Sequence, residues 1–138
     1  MAITPGRATF DILPAETPRW RQLEELAHRV AQQFGYSEIR PPAFEATELY
    51  TSALADDNDI LEKELYTFRD RSGRSMTLRP EFTVSTVRAC LEHGLNAQAQ
   101  FKGYYLGEVW RYERPHSGRT RDSHQFGAEV VGSPSAAV

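Results

Sequence analysis

The stretch from Tyr104 to Gly132 constrains the fold of this chain more than any other stretch. Aromatic and β-branched residues flank a charged, turn-rich centre, which predicts two strands joined by a loop containing Pro115, Ser117 and Gly118. Successive side chains of a strand point to opposite faces, so the alternation of residue types predicts a hairpin with one apolar and one polar face.

The polar face gathers chemical groups that an ordinary solvated face does not. Its predicted members are Val109, Arg111 and Glu113 on the first strand, and Ser123, Gln125, Gly127 and Glu129 on the second. The connecting loop adds three arginines, Arg114, Arg119 and Arg121, which repel one another unless an anion lies among them. Guanidinium groups suit phosphate oxygens, so the hairpin predicts an anion site. On pattern alone, a hairpin whose polar face is only exposed to solvent remains the alternative.

These residues carry a resemblance to a known family. An aromatic-Arg-x-Glu strand, a basic loop and a second polar strand resemble motif 2 of the class II aminoacyl-tRNA synthetases. The short sequences RYERP at 111–115 and HQFG at 124–127 are similar to those of the histidyl-tRNA synthetases. The similarity continues upstream through TLRPEFT at 77–83, GYSEIRPPAFE at 35–45 and RATFDILP at 7–14, and so covers nearly the whole chain.

The resemblance implies one domain over residues 1–138, the N-terminal half of a class II catalytic domain with motifs 1 and 2. The element pattern agrees with it, because strands in antiparallel order with helices mostly ahead of them predict an α+β fold, an antiparallel sheet backed by helices. Neither GxGxxG nor GxxxxGK[ST] occurs in the sequence, so the two common nucleotide-binding loops are excluded.

Residues 17–34 are predicted to form a helix. Thr17 can cap it, Pro18 fits the first turn, and Gly35 can end it in the left-handed conformation. Apolar residues recur at steps of three and four and predict one stripe that faces the core or an interface. The stripe consists of Trp20, Leu23, Ala27, Val30 and Phe34.

A short strand, 37–40, follows this helix and is ended by Pro41 and Pro42, which lack the amide hydrogen that a ladder needs. The resemblance identifies the helix, strand and proline as motif 1, which implies a homodimer with Pro42 at the subunit interface. Two prolines that only end an edge strand explain the sequence equally well.

The middle of the chain alternates short elements. The predictions are a helix at 47–54, an acidic loop at 55–59, strands at 64–68 and 75–78 around a turn at 70–73, and a strand at 100–106 ahead of the hairpin. A second long helix is predicted to run to about His93 and stop at Gly94, with Val84, Val87 and Leu91 pointing inward. Glu81 lies near its start, where the helix dipole by itself favours a carboxylate.

Composition limits the functions that remain. The net charge of −3 gives no overall attraction for nucleic acid, so any tRNA contact must be local. Cys90 is the single cysteine, which excludes an internal disulfide and a metal cluster and fits a reducing compartment. The sequence shows no signal-peptide pattern and no apolar run long enough to cross a membrane, so we expect a cytoplasmic protein with no membrane partner.

The resemblance implies which residues bind ATP, as a substrate accompanied by Mg²⁺, without a protein-bound metal site. Arg111 matches the catalytic position that contacts the α-phosphate, and Arg119 matches the loop position that reaches the γ-phosphate. Glu113 matches the position near the adenine amino group. Ser123 stands where the family carries an aromatic residue that stacks on adenine.

The resemblance also implies a site for histidine. An ammonium group needs acceptors, which Glu81 and Thr83 can supply at the family's RPE.T positions. An imidazole presents a donor and an acceptor, which a carboxylate and an amide together can recognise, and Gln125 and Glu129 match those positions. His124 is predicted to pack on the apolar face, so it is not among the expected ligands.

Departures from the family pattern leave alternatives open. Phe82 stands where the family usually carries glycine, and its ring is expected to crowd the amino-acid pocket; Ser123 cannot stack. The resemblance ends at Val138, without motif 3 or an anticodon-binding domain, so we expect a fragment that forms histidyl adenylate slowly and does not charge tRNA(His) alone. The alternatives are a histidine-sensing regulatory subunit of ATP phosphoribosyltransferase and a non-catalytic dimerisation fragment.

Overall fold

The computed structural model describes residues 3–53, 64–97, 100–114, 116 and 118–135, and the predicted acidic loop at 55–59 lies outside them, as do Pro115 and Ser117. Three helices and six strands are present within the described residues. They are α1 (Thr17–Gln33), β1 (Ser37–Glu38), β2 (Phe44–Ala46), α2 (Thr47–Ala53), β3 (Thr67–Arg69), β4 (Ser75–Leu78), α3 (Thr83–Glu92), β5 (Phe101–Trp110) and β6 (Asp122–Val131).

The strands form two three-stranded sheets, with orders β1-β5-β6 and β2-β4-β3. The α+β class is confirmed. One pairing departs from the antiparallel expectation, because β1 runs parallel to β5. The strand predicted at 100–106 and the first strand of the hairpin are one continuous element, β5. A backbone bond from Trp110 N to Arg79 O (3.0 Å) ties the end of β5 to the segment that follows β4.

The predicted hairpin has the register that its alternation requires. Val109 pairs with Ser123, Gly107 with Gln125, and each following pair steps by two residues along both strands. Arg111 follows the end of β5, and its backbone N–H extends the ladder to Arg121 O (2.9 Å). The polar residues of both strands therefore lie on one face, which we call the site face.

Helix α1 packs on the opposite face of the large sheet. The Trp20 ring lies 4.4 Å from the His124 ring, and His28 Nδ1 lies 2.9 Å from the Tyr104 hydroxyl. The packing predicted for His124 on this apolar face is confirmed. Gly35 ends the helix with φ of +76°, as its sequence predicts.

Three details of the helices differ from the sequence predictions. Glu16 precedes the first residue of α1 and the Thr17 hydroxyl donates to Leu13 O (3.0 Å), so Thr17 is not the cap. The stripe on α1 is partly exposed, with Phe34 68% exposed, because the side chains nearest the sheet are offset from it. Leu91 is 63% exposed, since α3 buries its small residues instead. Those residues are Ser85, Thr86, Ala89 and Cys90.

The core of the site face is aromatic. Phe82 is 2% exposed, and its ring stacks on Tyr105 with centroids 4.7 Å apart and planes 8° apart. The Arg79 guanidinium lies 4.0 Å from the centre of the same ring, and Val109 completes the cluster. Phe82 joins the N-terminus of α3 to the sheet.

Alkaline pH is expected to weaken this fold through Tyr50. Burial raises the pKa of the fully buried Tyr50 to about 12, and its hydroxyl lies 2.8 Å from Ser85 Oγ. The unfolded chain releases the proton near pH 10, so Tyr50 contributes stability that is complete below about pH 10 and lost as the pH rises toward 12.

We expect the free energy of unfolding, measured by urea titration, to fall by about 1–2 kcal/mol on this account between about pH 10 and 11.5. Tyr50→Phe should be less stable at neutral pH, since Ser85 loses its partner, but should show a shallower alkaline decline. Tyr112→Phe, at a half-exposed ring, is the control. A Tyr50→Phe variant whose alkaline decline matches that of the parent chain would contradict the assignment.

Candidate functional site

A cavity of about 300 Å³ opens on the site face where the hairpin meets its loop. All four residues that the resemblance assigns to ATP line it: Arg111, Glu113, Arg119 and Ser123. They come from both sides of the hairpin, so the register of β5 with β6 is what brings them together. We call this the arginine cavity.

The guanidinium of Arg111 is anchored to the backbone by a hydrogen bond. Its Nε donates to Pro80 O at 2.8 Å, and Arg111 lines the cavity. One terminal nitrogen, Nη1, lies 3.7 Å from Glu113 Oε1. A guanidinium fixed through Nε offers its remaining N–H groups to an oxyanion without further ordering of the side chain.

Glu113 is the most buried charged group of the cavity, with 6% of its side chain exposed. Its carboxylate forms an ion pair with Arg119 Nε and faces Arg111, so one negative charge lies between two positive ones. A buried charge requires such partners because desolvation is costly. The cavity therefore keeps a net positive charge from these three residues, which suits a polyphosphate.

The three loop arginines do not act as one cluster. Arg119 faces the arginine cavity, whereas Arg121 stacks 3.8 Å over the Tyr112 ring. Arg121 and Arg114 line a separate cavity of about 290 Å³ together with Arg7 from the N-terminal segment. Their positions in one short connection did not indicate this separation, because all three are charged alike and lie within eight residues of one another.

Gln125 lines the arginine cavity, opposite Gly107 on β5. Its Oε1 accepts a hydrogen bond from the Phe82 backbone N–H at 3.1 Å. The amide oxygen is thus engaged by α3, and the NH₂ group is the donor that remains for a ligand. This position lies between the arginine cavity and the second cluster of the site face.

That second cluster joins Thr83, Tyr105 and Glu129. Glu129 Oε1 accepts hydrogen bonds from Thr83 Oγ1 at 2.7 Å and from the Tyr105 hydroxyl at 2.9 Å. Burial raises the pKa of Tyr105 to about 12, so its hydroxyl stays protonated at neutral pH. Two of the four residues assigned to histidine, Thr83 and Glu129, therefore meet here.

Glu81 has a role at the helix terminus. Its carboxylate accepts the backbone N–H groups of Thr83 (2.5 Å) and Val84 (2.9 Å) at the start of α3. These donors are the ones that a helix leaves unpaired, so Glu81 stabilises the helix that carries Thr83. Whether it also binds an ammonium group stays a prediction.

The sequence analysis did not identify Tyr105 as a site residue, nor the close approach of its ring to Gly127. Tyr105 could have been found from the alternation along β5, because it lies an even number of residues before Arg111 and so shares the site face. Phe82, expected to crowd the amino-acid pocket, packs in the core, with its ring stacked on Tyr105 of the second cluster. Whether it crowds a bound amino acid stays a prediction.

The described residues contain no group of three or more His, Cys, Asp or Glu side chains placed to hold a metal ion. Among the same residues no helix is both long and apolar enough to span a bilayer.

Comparison with known proteins gives a consistent answer. A sequence model of the family described as Histidyl-tRNA synthetase matches residues 8–138. The chain is 52% identical to the histidine–tRNA ligase of Desulforamulus reducens and 49% identical to that of Desulforudis audaxviator. Each alignment covers 100% of this chain and 33% of the relative, so the chain spans about a third of the length of these curated relatives.

Solved structures agree with the sequences. The chain superimposes on the apo histidyl-tRNA synthetase of S. aureus with a TM-score of 0.79 and 36% identity, covering 96% of this chain and 30% of that one. A Bacillus halodurans protein described as an ATP phosphoribosyltransferase regulatory subunit/histidyl-tRNA synthetase gives a TM-score of 0.79 at 19% identity, covering 96% of this chain and 33% of that one. The second similarity shows the fold alone.

Proposed function

The chain belongs to the histidyl-tRNA synthetase family, and we propose on that basis that its site face binds ATP and histidine and aligns them for formation of histidyl adenylate. In this reaction a histidine carboxylate oxygen forms a bond to the α-phosphorus, and the bond from that phosphorus to the bridging oxygen of pyrophosphate breaks. Residues 1–138 would then correspond to the N-terminal half of a class II catalytic domain.

The observation that supports the proposal is the arrangement of the site face. The arginine cavity and the cluster of Thr83, Tyr105 and Glu129 lie on the same face of the same hairpin. Gln125 and Glu129 are four residues apart on β6, which places them roughly 13 Å apart along the strand. That separation suits two substrates laid end to end, with their reacting groups meeting near Gln125.

The chemistry needs alignment more than proton transfer. The histidine carboxylate reacts as an anion, so no general base is required, and charge accumulates on the α-phosphate oxygens. Arg111, fixed through Pro80 O, would stabilise that charge, and Arg119 would bind the terminal phosphate from the loop. Mg²⁺ would arrive with ATP and neutralise part of the phosphate charge.

Histidine would lie over the second cluster. Glu129 would accept an N–H of the imidazole, while Thr83 and Glu81 would face the ammonium group. Gln125 offers amide N–H donors, which suits an acceptor such as a carboxylate oxygen. A histidine-sensing regulatory subunit is not better supported, since the curated relatives at about half identity are ligases.

The experiment that tests the proposal is the exchange of labelled pyrophosphate into ATP. We expect exchange to depend on histidine and to fall about 10- to 100-fold in Glu129→Ala, the effect of losing a hydrogen bond to a charged group. Glu108→Ala is the matched control, because Glu108 lies on the opposite face of β5 and is 58% exposed. The proposal would be refuted if the exchange rate did not depend on histidine, or if Glu129→Ala left it unchanged.

We also propose the partners that the family implies: self-association as a homodimer, tRNA(His) as the acceptor in a longer protein, and a cytoplasmic location. Support for the homodimer comes from the outer side of α1, where large apolar side chains are exposed. They are Leu23, Leu26, Val30 and Phe34. Pro42 is exposed as well, so it is free to meet a partner.

Self-association is expected to depend on that apolar surface. Sedimentation at micromolar concentration should show a species heavier than the 15.7 kDa chain. Phe34→Glu should shift the population toward monomer, because it puts a charge in an apolar contact. Gln33→Glu, one residue away at the end of α1, is the control for added charge. A monomer at all concentrations would argue against the homodimer.

A further inference from the structure

The carboxylate of Glu129 is held by one oxygen. Thr83 Oγ1 and the Tyr105 hydroxyl both donate to Oε1, at 2.7 and 2.9 Å. In the part of the chain that the structure describes, no residue donates to Oε2. A carboxylate restrained at one oxygen cannot rotate freely. The two hydrogen bonds to Oε1 therefore also restrict the direction in which Oε2 points.

Tyr105 reaches this position because a glycine lies opposite it. Tyr105 pairs with Gly127 across the hairpin, and a Cβ added at Gly127 would meet the Tyr105 hydroxyl oxygen at 2.4 Å and its ring carbons at 2.5 and 2.6 Å. Without that Cβ the ring lies flat over β6, and its hydroxyl reaches the residue two places further along the strand. Phe82 stacks on the other side of the ring and keeps it there.

The direction of the hydrogen bonds sets what the cluster can bind. An ionised carboxylate only accepts, so the single protons of Thr83 and Tyr105 both point to Glu129. The remaining lone pairs of the two hydroxyl oxygens, with Glu129 Oε2, form a set of acceptors. Such a set favours a ligand that presents N–H groups and disfavours an isostere that lacks them.

We propose that Tyr105 is a positioning residue that determines amino-acid specificity, by holding Glu129 so that its free oxygen accepts a ring N–H of the bound amino acid. Tyr105 acts through Glu129 and does not itself touch the reacting atoms. The inference rests on the proposed function, since it specifies how the same site distinguishes histidine from a ring of equal shape.

The test measures the binding of two ligands by calorimetry, histidine and β-(thiazol-4-yl)alanine, in which sulfur replaces the ring N–H. Tyr105→Phe keeps the ring and removes the hydroxyl. We expect it to weaken histidine binding about tenfold and to change binding of the thiazole analogue by less than about twofold, so that the preference between them shrinks. Equal weakening of both ligands would mean a purely structural role and would overturn the inference.

Two further variants sharpen the comparison. Tyr104→Phe is the matched control, because Tyr104 is the neighbouring tyrosine on the opposite face, where its hydroxyl contacts His28; it should leave both affinities unchanged. Gly127→Ala should reproduce the loss of preference by displacing the ring. A parent chain that binds both ligands equally would refute the proposed function, and with it this inference. A parent preference retained in full by Tyr105→Phe would overturn the inference alone.

Discussion

Replacing Arg111 by alanine is expected to lower histidine-dependent pyrophosphate exchange by about 10²–10³-fold, the usual cost of removing one fixed electrostatic donor from a transition state. Arg111 Nε donates to a backbone carbonyl, Pro80 O, at 2.8 Å, so its guanidinium is anchored to the main chain. An anchored group has little ordering to do when charge develops at the phosphate. The loss should therefore fall mainly on the rate at saturating substrate.

The size of this effect distinguishes a catalytic arginine from a merely basic surface. Arg71→Ala makes the same change in net charge at an exposed position of the turn between β3 and β4, and it should leave the exchange rate unaltered. Arg111→Lys keeps the charge but loses the planar guanidinium, whose N–H groups can bind two phosphate oxygens at once, so an intermediate rate is expected. If Arg111→Ala retains exchange near the parent rate, ATP does not use the arginine cavity as proposed.

Replacing Phe82 by alanine is expected to lower the free energy of unfolding by about 3–5 kcal/mol, the range measured for a buried phenylalanine. The ring is 2% exposed and fills the space between Tyr105, Arg79 and Gly107. A Cβ built on Gly107 would lie 3.0 Å from it, so the ring is in close contact with the sheet. Urea denaturation followed by circular dichroism measures the change.

The control for Phe82 is Phe44→Ala, at a ring that is 50% exposed on the small sheet, and its cost should be below about 1.5 kcal/mol. Histidine affinity gives a second readout. A ring that crowds the amino-acid pocket would raise the affinity when removed, whereas a ring that supports Tyr105 would lower it. We expect the affinity to fall. Equal losses of stability in the two variants would show that Phe82 is not a core residue.

The sequence by itself determined the hairpin and the sorting of its residues. The alternation of polar and apolar residues in 104–132 requires one register, because a slip of a single residue would turn every side chain to the wrong face. The structure has that register, and Ser123, Gln125, Gly127 and Glu129 share the site face. Gly35 and Gly94 ended their helices as predicted, with φ of +76° and +60°, since only glycine adopts that conformation without strain.

The tertiary structure alone decided which of these residues touch. Thr83 and Glu129 are separated by 46 positions, and no local pattern indicates that a helix start will bring a hydroxyl onto a strand carboxylate. The same holds for the separation of Arg119 from Arg121, which depends on the Tyr112 ring in the segment that follows β5. Periodicity reports the face on which a side chain lies, because it is a property of one segment. Contacts between segments depend on how the faces pack, and that is settled only when the whole chain is folded.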